Sequence, residues 1–184
     1  MKKGLIITFT TILAFAACNT TKNIPQGQYL LDKIEIKHDT KNATSDLEDY
    51  VRQQPNTSLP LLGKVRLGIY NMAGQDSSWI NRTIRNIGQA PVIFSPSLTQ
   101  QSKNQLVKQL QNQGYLDAVG DTLLTPGKDG KKMKVTYALK GGTPYTMRNY
   151  SYQISDTTQA RIMKRVPSDT LMTAGDFIEQ GMYE

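Results

Sequence analysis

Between Tyr29 and His38 apolar and charged residues interleave (YLLDKIEIKH), with Ile34 and Ile36 flanked by charges. A two-residue period puts alternate side chains on one face, so this stretch predicts a strand with one buried side. The same period returns more strictly at Met133, Val135, Tyr137 and Leu139. Leu116 to Leu124 reads as another strand, weakened by Gly120, and the turn Pro126-Gly-Lys-Asp-Gly130 joins these two into a hairpin. Elsewhere the period is helical. Ser45-Asp-Leu-Glu48 has the capping-box form, Leu47, Tyr50 and Val51 share one face, and Pro55 ends the helix. A longer helix opens at Ser97 or Thr99, carries Leu98, Leu106, Val107 and Leu110 on one stripe, and stops at Gly114.

Residues 56–97 interrupt this order. Leu59 to Tyr70 is apolar but broken by Pro60, Gly63 and Gly68. Ile80, Ile84 and Ile87 then recur at helical spacing beside Trp79, with Ser77 or Ser78 as cap and Gly88 as stop. Such a stripe is expected to pack into a core. Ala90 to Pro96 reads as extended chain. The fold class that results is α+β, with the order strand, helix, insert (about 56–97), helix, strand, strand over residues 29–141. A second unit, 142–184, begins the same way. Gly27-Gln-Tyr-Leu-Leu is echoed by Gly142-Thr-Pro-Tyr-Thr, and both strands end before an Asp-Thr pair. A helix containing Ala160 and Met163 follows, closed by Pro167. This unit lacks a second helix and a hairpin, so the sequence is expected to be part of a longer chain.

The N-terminus changes the picture of where the protein works. After Lys2 and Lys3, thirteen uncharged residues run from Leu5 to Ala17, directly before the only cysteine, Cys18. That layout fits a signal peptide and is too short for a typical membrane-spanning helix, which needs about 20 apolar residues. Residues 18–28, polar and punctuated by Pro25 and Gly27, form a tether. A lone cysteine excludes an internal disulfide. The formal charge is +7, falling to +5 without Lys2 and Lys3, and the basic runs, such as Lys131-Lys132 and Lys164-Arg165, are no longer than doublets. Nucleic-acid surfaces concentrate their charge, so no nucleic-acid partner is expected.

Phe15-Ala16-Ala17-Cys18 resembles a bacterial lipobox, with Phe15 where Leu is usual. The resemblance implies cleavage after residue 17 and a lipid on the Cys18 thiol. The strand and helix order, with the Gly114-Tyr115 step into the hairpin, resembles a POTRA domain. Tyr29-Leu-Leu-Asp-Lys-Ile, Arg52-Gln-Gln-Pro-Asn56, Arg66-Leu-Gly-Ile-Tyr-Asn71, Ile87-Gly-Gln-Ala-Pro-Val-Ile93 and Leu110-Gln-Asn-Gln-Gly-Tyr115 together resemble the N-terminal part of the lipoprotein branch of the BamA/TamA family. That resemblance implies an outer-membrane, lipid-anchored segment facing the periplasm. Its partners would be unfolded outer-membrane proteins or envelope assembly factors. An alternative is a stand-alone cell-envelope lipoprotein with a binding or structural role.

A sheet edge can receive another extended chain through backbone hydrogen bonds alone, which suits many unfolded clients. Leu116 to Leu124 is the expected edge, with Leu116, Ala118, Gly120 and Thr122 as candidate client-binding positions because Gly120 would leave backbone exposed. Enzymatic chemistry finds no footing. His38 is the only histidine, so a triad or a His/Cys metal site lacks members. No glycine cluster has phosphate-loop spacing, and Ser77 and Ser78 lack a nucleophile-elbow setting. No cofactor and no catalytic residue are expected.

Overall fold

The computed structural model describes residues 20–40, 45–149, 155–163 and 175–178. Three strands, β1 (Leu30–His38), β2 (Val119–Pro126) and β3 (Lys132–Lys140), form one sheet in the order β1-β3-β2. β2 and β3 are an antiparallel hairpin, whereas β1 runs parallel to β3. A parallel neighbour requires a long crossover. Here it holds a 3₁₀ turn (Ser45–Tyr50) and helices α1 (Val65–Met72), α2 (Trp79–Ile87) and α3 (Pro96–Asn112). A further helix, α4 (Thr157–Met163), starts where Asp156 Oδ1 accepts from the N–H groups of Thr158 and Gln159. The class is α+β.

The core lies between the sheet and α3. Met133, Val135, Tyr137 and Leu139 are buried as their alternation requires, against Leu106 and Leu110 of α3 and Leu47 and Val51 beside the 3₁₀ turn. β1 joins this core through a bulge. Its register slips between Leu31 and Lys33, so Leu31 opposes Met133 while Ile34 opposes Val135. Strict alternation would put Leu31 and Ile34 on opposite faces; one extra residue, Asp32, brings both to the core. The Asp32 carbonyl is then taken by Lys64 Nζ at 2.6 Å, which also pairs with the Asp32 carboxylate at 2.8 Å.

The expected first helix is shorter than its capping box suggests. Residues 45–50 make only a 3₁₀ turn, kinked at Asp46. With Pro55 close behind, there is no room to offset the cost of nucleating an α-helix. α3 begins earlier than expected, because Ser95 caps it through a bond from the Leu98 N–H and Pro96 sits in its first turn. Its inward stripe is Thr99, Ser102, Leu106 and Leu110. Ser102 is fully buried because its hydroxyl donates to the Leu98 carbonyl and accepts from the Arg52 N–H.

The insert is latched by side-chain amides acting as backbone. Asn56 donates to the Ala90 carbonyl (2.7 Å) and accepts from the Val92 N–H (2.9 Å), while Gln53 bonds the Ile93 carbonyl and the Ser95 N–H. Gly88 allows the Tyr70 backbone to come within 2.6 Å of where a Cβ would stand. Thus Arg52–Asn56 and Ile87–Ile93 hold the insert's two ends together. The expected tether is also engaged: Thr21 is buried, Lys22 donates to the Asn71 carbonyl and Asn23 to the Asn71 side chain. Residues 1–19, with the leader and Cys18, lie outside the described residues.

The echo between the two units has a structural counterpart. Leu30 bridges Ile93, with Leu31 N–H to the Val92 carbonyl and Phe94 N–H to the Tyr29 carbonyl. Thr146 bridges Phe177 identically, with Met147 N–H to the Asp176 carbonyl and Ile178 N–H to the Tyr145 carbonyl. Gly27 and Gly142, just ahead, both take left-handed φ values (76° and 71°). The bridged pairs are 63 positions apart in the first unit and 31 in the second, so the first carries 32 more. That surplus matches α1, α2 and their loops. Tyr145 ties the second unit to the first: its N–H donates to the Gly114 carbonyl and its hydroxyl to Asp117, a bond that raises the phenol's pKa.

Candidate functional site

Each sheet edge offers unpaired backbone groups unless something covers it. On β1 the opening positions are covered by residues 92–94 of the same chain. β2 is the other edge, and none of the described residues forms a strand beside it. The hairpin closes with the Gly127 N–H on the Lys132 carbonyl (2.9 Å). Pairing alternates along an antiparallel ladder. Counted from that bond, Val119, Asp121, Leu123 and Thr125 bond to β3, and the N–H groups of Gly120, Thr122 and Leu124 point outward. Pro126 ends the row without a donor.

The four candidate positions separate on this geometry. Thr122 is at the centre of the outward row. Its N–H is capped by the neighbouring Asp121 carboxylate at 2.7 Å, a local shield for an otherwise open donor. Its hydroxyl oxygen is buried without a hydrogen-bond partner. Gly120 belongs to the edge, but for a different reason than expected. A Cβ there would stand 2.8 Å from Val107 Cγ2 and 3.0 Å from Leu139 Cδ2, so the glycine lets α3 approach the sheet. Leu116 and Ala118 fall outside the strand, which starts at Val119 rather than Leu116. Tyr115 to Ala118 form a turn in which Ala118 is buried and donates its N–H to the Tyr115 carbonyl. Asp121 and Leu123 lie on the expected edge but outside the four candidate positions. The Leu123 side chain is 62% exposed on the sheet's open face, where an incoming strand would meet it.

That open face carries alternating charge. Glu35 pairs with Lys134 at 2.5 Å, and this hydrogen bond, helped by the fields of Lys37 and Lys33, holds its carboxyl below the usual range. His38, at the end of β1, bonds the Thr40 hydroxyl at 2.8 Å and serves as a local cap. Among the described residues no cluster of His, Cys, Asp or Glu could hold a metal ion, and no helix is long and apolar enough to cross a membrane.

The insert departs most from expectation. α2 is capped by Ser78 and stopped at Gly88 as its sequence implies, yet none of its residues is buried. Asn81, Ile84, Arg85 and Gly88 turn toward the protein, while Trp79, Ile80 and Ile87 are 75%, 51% and 59% exposed. Polar bonds set this rotation: Arg85 donates to the Asp76 carbonyl, and the Asn81 side chain accepts from the Gly74 N–H. Of the expected core stripe only Ile84 turns inward, and Trp79, Ile80 and Ile87 lie at the surface.

No protein family and no curated protein matches this chain. Among solved structures it is similar to the crystal structure of Haemophilus influenzae BamA POTRA3-5, with a TM-score of 0.32 and 9% identity, over 88% of this chain and 85% of that one.

Proposed function

We propose that this chain is a POTRA-type, lipid-anchored segment of an outer-membrane assembly factor of the BamA/TamA kind. In this reading Cys18 carries the lipid, the described domain faces the periplasm, and β2 receives extended segments of unfolded outer-membrane proteins. The observation that carries the reading is the row of outward N–H groups at Gly120, Thr122 and Leu124 on an edge beside which none of the described residues forms a strand. Backbone groups recognise a strand without a side-chain code, which suits a receptor for many clients. The recurring bridge at Leu30–Ile93 and Thr146–Phe177 supports tandem units, as an assembly scaffold would use.

The test is photo-cross-linking of β-rich client peptides from a reactive residue at position 123. Thr122→Pro removes the central donor and cannot sit in a paired strand, so cross-linking should vanish while circular dichroism reports a folded domain. Thr122→Ala should leave cross-linking intact, and Asp121→Ala should raise it by uncapping the Thr122 N–H. Unchanged cross-linking in a folded Thr122→Pro variant removes β2 as the receiving edge. Lipid attachment is tested separately by labelled fatty acid, which Cys18→Ala should fail to incorporate.

A further inference from the structure

We propose that the α1–α2 insert is a membrane-contacting platform whose occupant is the surface of an anionic phospholipid bilayer. The second unit closes the equivalent bridge with 32 fewer positions, so the surplus is not needed to make that junction. What the surplus contributes is an apolar surface facing outward. Trp79, Ile80 and Ile87 line one side of α2, and Leu61 and Leu62 stand exposed at the tip of the loop closed by the Leu59–Gly63 bridge. Several large apolar side chains exposed within one short insert mark a candidate contact site.

Two observations favour a bilayer over a protein groove. The first is charge. Residues 59–89 contain Lys64, Arg66, Arg82 and Arg85 against a single acid, Asp76. Arg66 and Arg82 are exposed, and none of the described ion pairs includes either. An amphipathic helix with tryptophan beside its apolar stripe and an exposed arginine, Arg82, on its flank suits the headgroup layer of an anionic membrane. The second is position. Lys22 and Asn23 are fixed on Asn71 of α1, and residues 22–25 lie along Tyr70, Ala73 and Arg85. Cys18 precedes Lys22 by four residues, at most about 14 Å of extended chain, so a lipid on Cys18 would enter the bilayer within reach of this insert. A single acyl chain binds membranes only marginally and a second contact stabilises it. This last argument rests on the lipid reading of Cys18; the apolar and basic surface does not.

The experiment therefore omits the lipid. The chain from position 18 with Cys18→Ser retains every described element and contains one tryptophan, Trp79, as reporter. It is mixed with vesicles of phosphatidylethanolamine and phosphatidylglycerol, or of phosphatidylcholine alone. The anionic vesicles should shift Trp79 emission to shorter wavelength, brominated acyl chains should quench it, and the protein should co-sediment. Ile80→Asn with Ile87→Asn, both at exposed positions, should weaken co-sedimentation at least tenfold without changing circular dichroism. Unchanged Trp79 emission with the anionic vesicles overturns the proposal, as does equal binding by the double variant. A shift that grows with protein concentration without vesicles overturns it in favour of a second copy of the chain. Failure of fatty-acid labelling would count against Cys18 alone and leave these outcomes readable.

Discussion

Asn56→Ala tests whether side-chain amides hold the crossover together. Asn56 is 2% exposed, and its two bonds replace a strand's backbone pairing with Ala90 and Val92. Truncation leaves the half-buried Val92 N–H without its acceptor, which costs about 1–3 kcal/mol for an orphaned donor. The exposed Ala90 carbonyl can return to water, so there only the net bond is lost, about 0.5–1.5 kcal/mol. Together the loss is about 1.5–4.5 kcal/mol, against a total stability of about 5–15 kcal/mol for a domain. With a urea slope of about 2 kcal/mol/M, the unfolding midpoint should fall by about 1–2 M. Hydrogen exchange should accelerate first at Leu31 and Phe94, whose N–H groups pair through the 92–94 segment. Gln54→Ala is the control, because Gln54 is exposed and its side chain only reaches the Glu48 carbonyl; its effect should stay within about 0.5 kcal/mol. If the two variants lose equally little, the amide latch is not what joins the insert to the sheet.

Two further outcomes follow from particular contacts. Gly88→Ala should push α1 and α2 apart, since the added Cβ would meet Tyr70 N at 2.6 Å and Tyr70 Cα at 2.7 Å, backbone atoms that cannot rotate away. Overpacking of this kind costs about 1–3 kcal/mol, and exchange at the Gln89 N–H, bonded to the Arg66 carbonyl, should quicken while β3 stays protected. Glu35 is held below its ordinary 4.5 chiefly by the Lys134 hydrogen bond. A carboxyl depressed in the folded state contributes stability that is fully present above the unfolded value and lost as pH falls through the folded one. Glu35→Gln should therefore lower the urea midpoint slightly at neutral pH and leave it nearly unchanged well below pH 4.5, so that the acid-side slope of the profile flattens.

Much of the local structure was legible without coordinates. The strict alternation at Met133 to Leu139 determined β3 and its buried face, because a two-residue period allows no other arrangement against one core. Pro126 to Gly130 determined the hairpin turn, and Ser78 and Gly88 bounded α2, since caps and turns depend on residues next to one another. Strand order and the edge identity of β2 were decided only by the tertiary structure, because the parallel pairing of β1 with β3 joins residues about a hundred positions apart. The bulge at Asp32 was equally hidden; nothing in the alternation announces an extra residue, and Lys64, which completes it, stands 32 positions away just ahead of α1. The burial of Ser102 was hidden as well, because the Arg52 N–H that its hydroxyl accepts from lies fifty positions away in the chain. The stripe on α2 carries the clearest lesson. Its helical spacing grouped Ile80, Ile84 and Ile87 beside Trp79, and all but Ile84 lie on the exposed side; spacing says only which side chains lie near one another on the helix. What covers that face depends on contacts from elsewhere in the chain, and here the bonds of Asn81 and Arg85 turned the polar side inward.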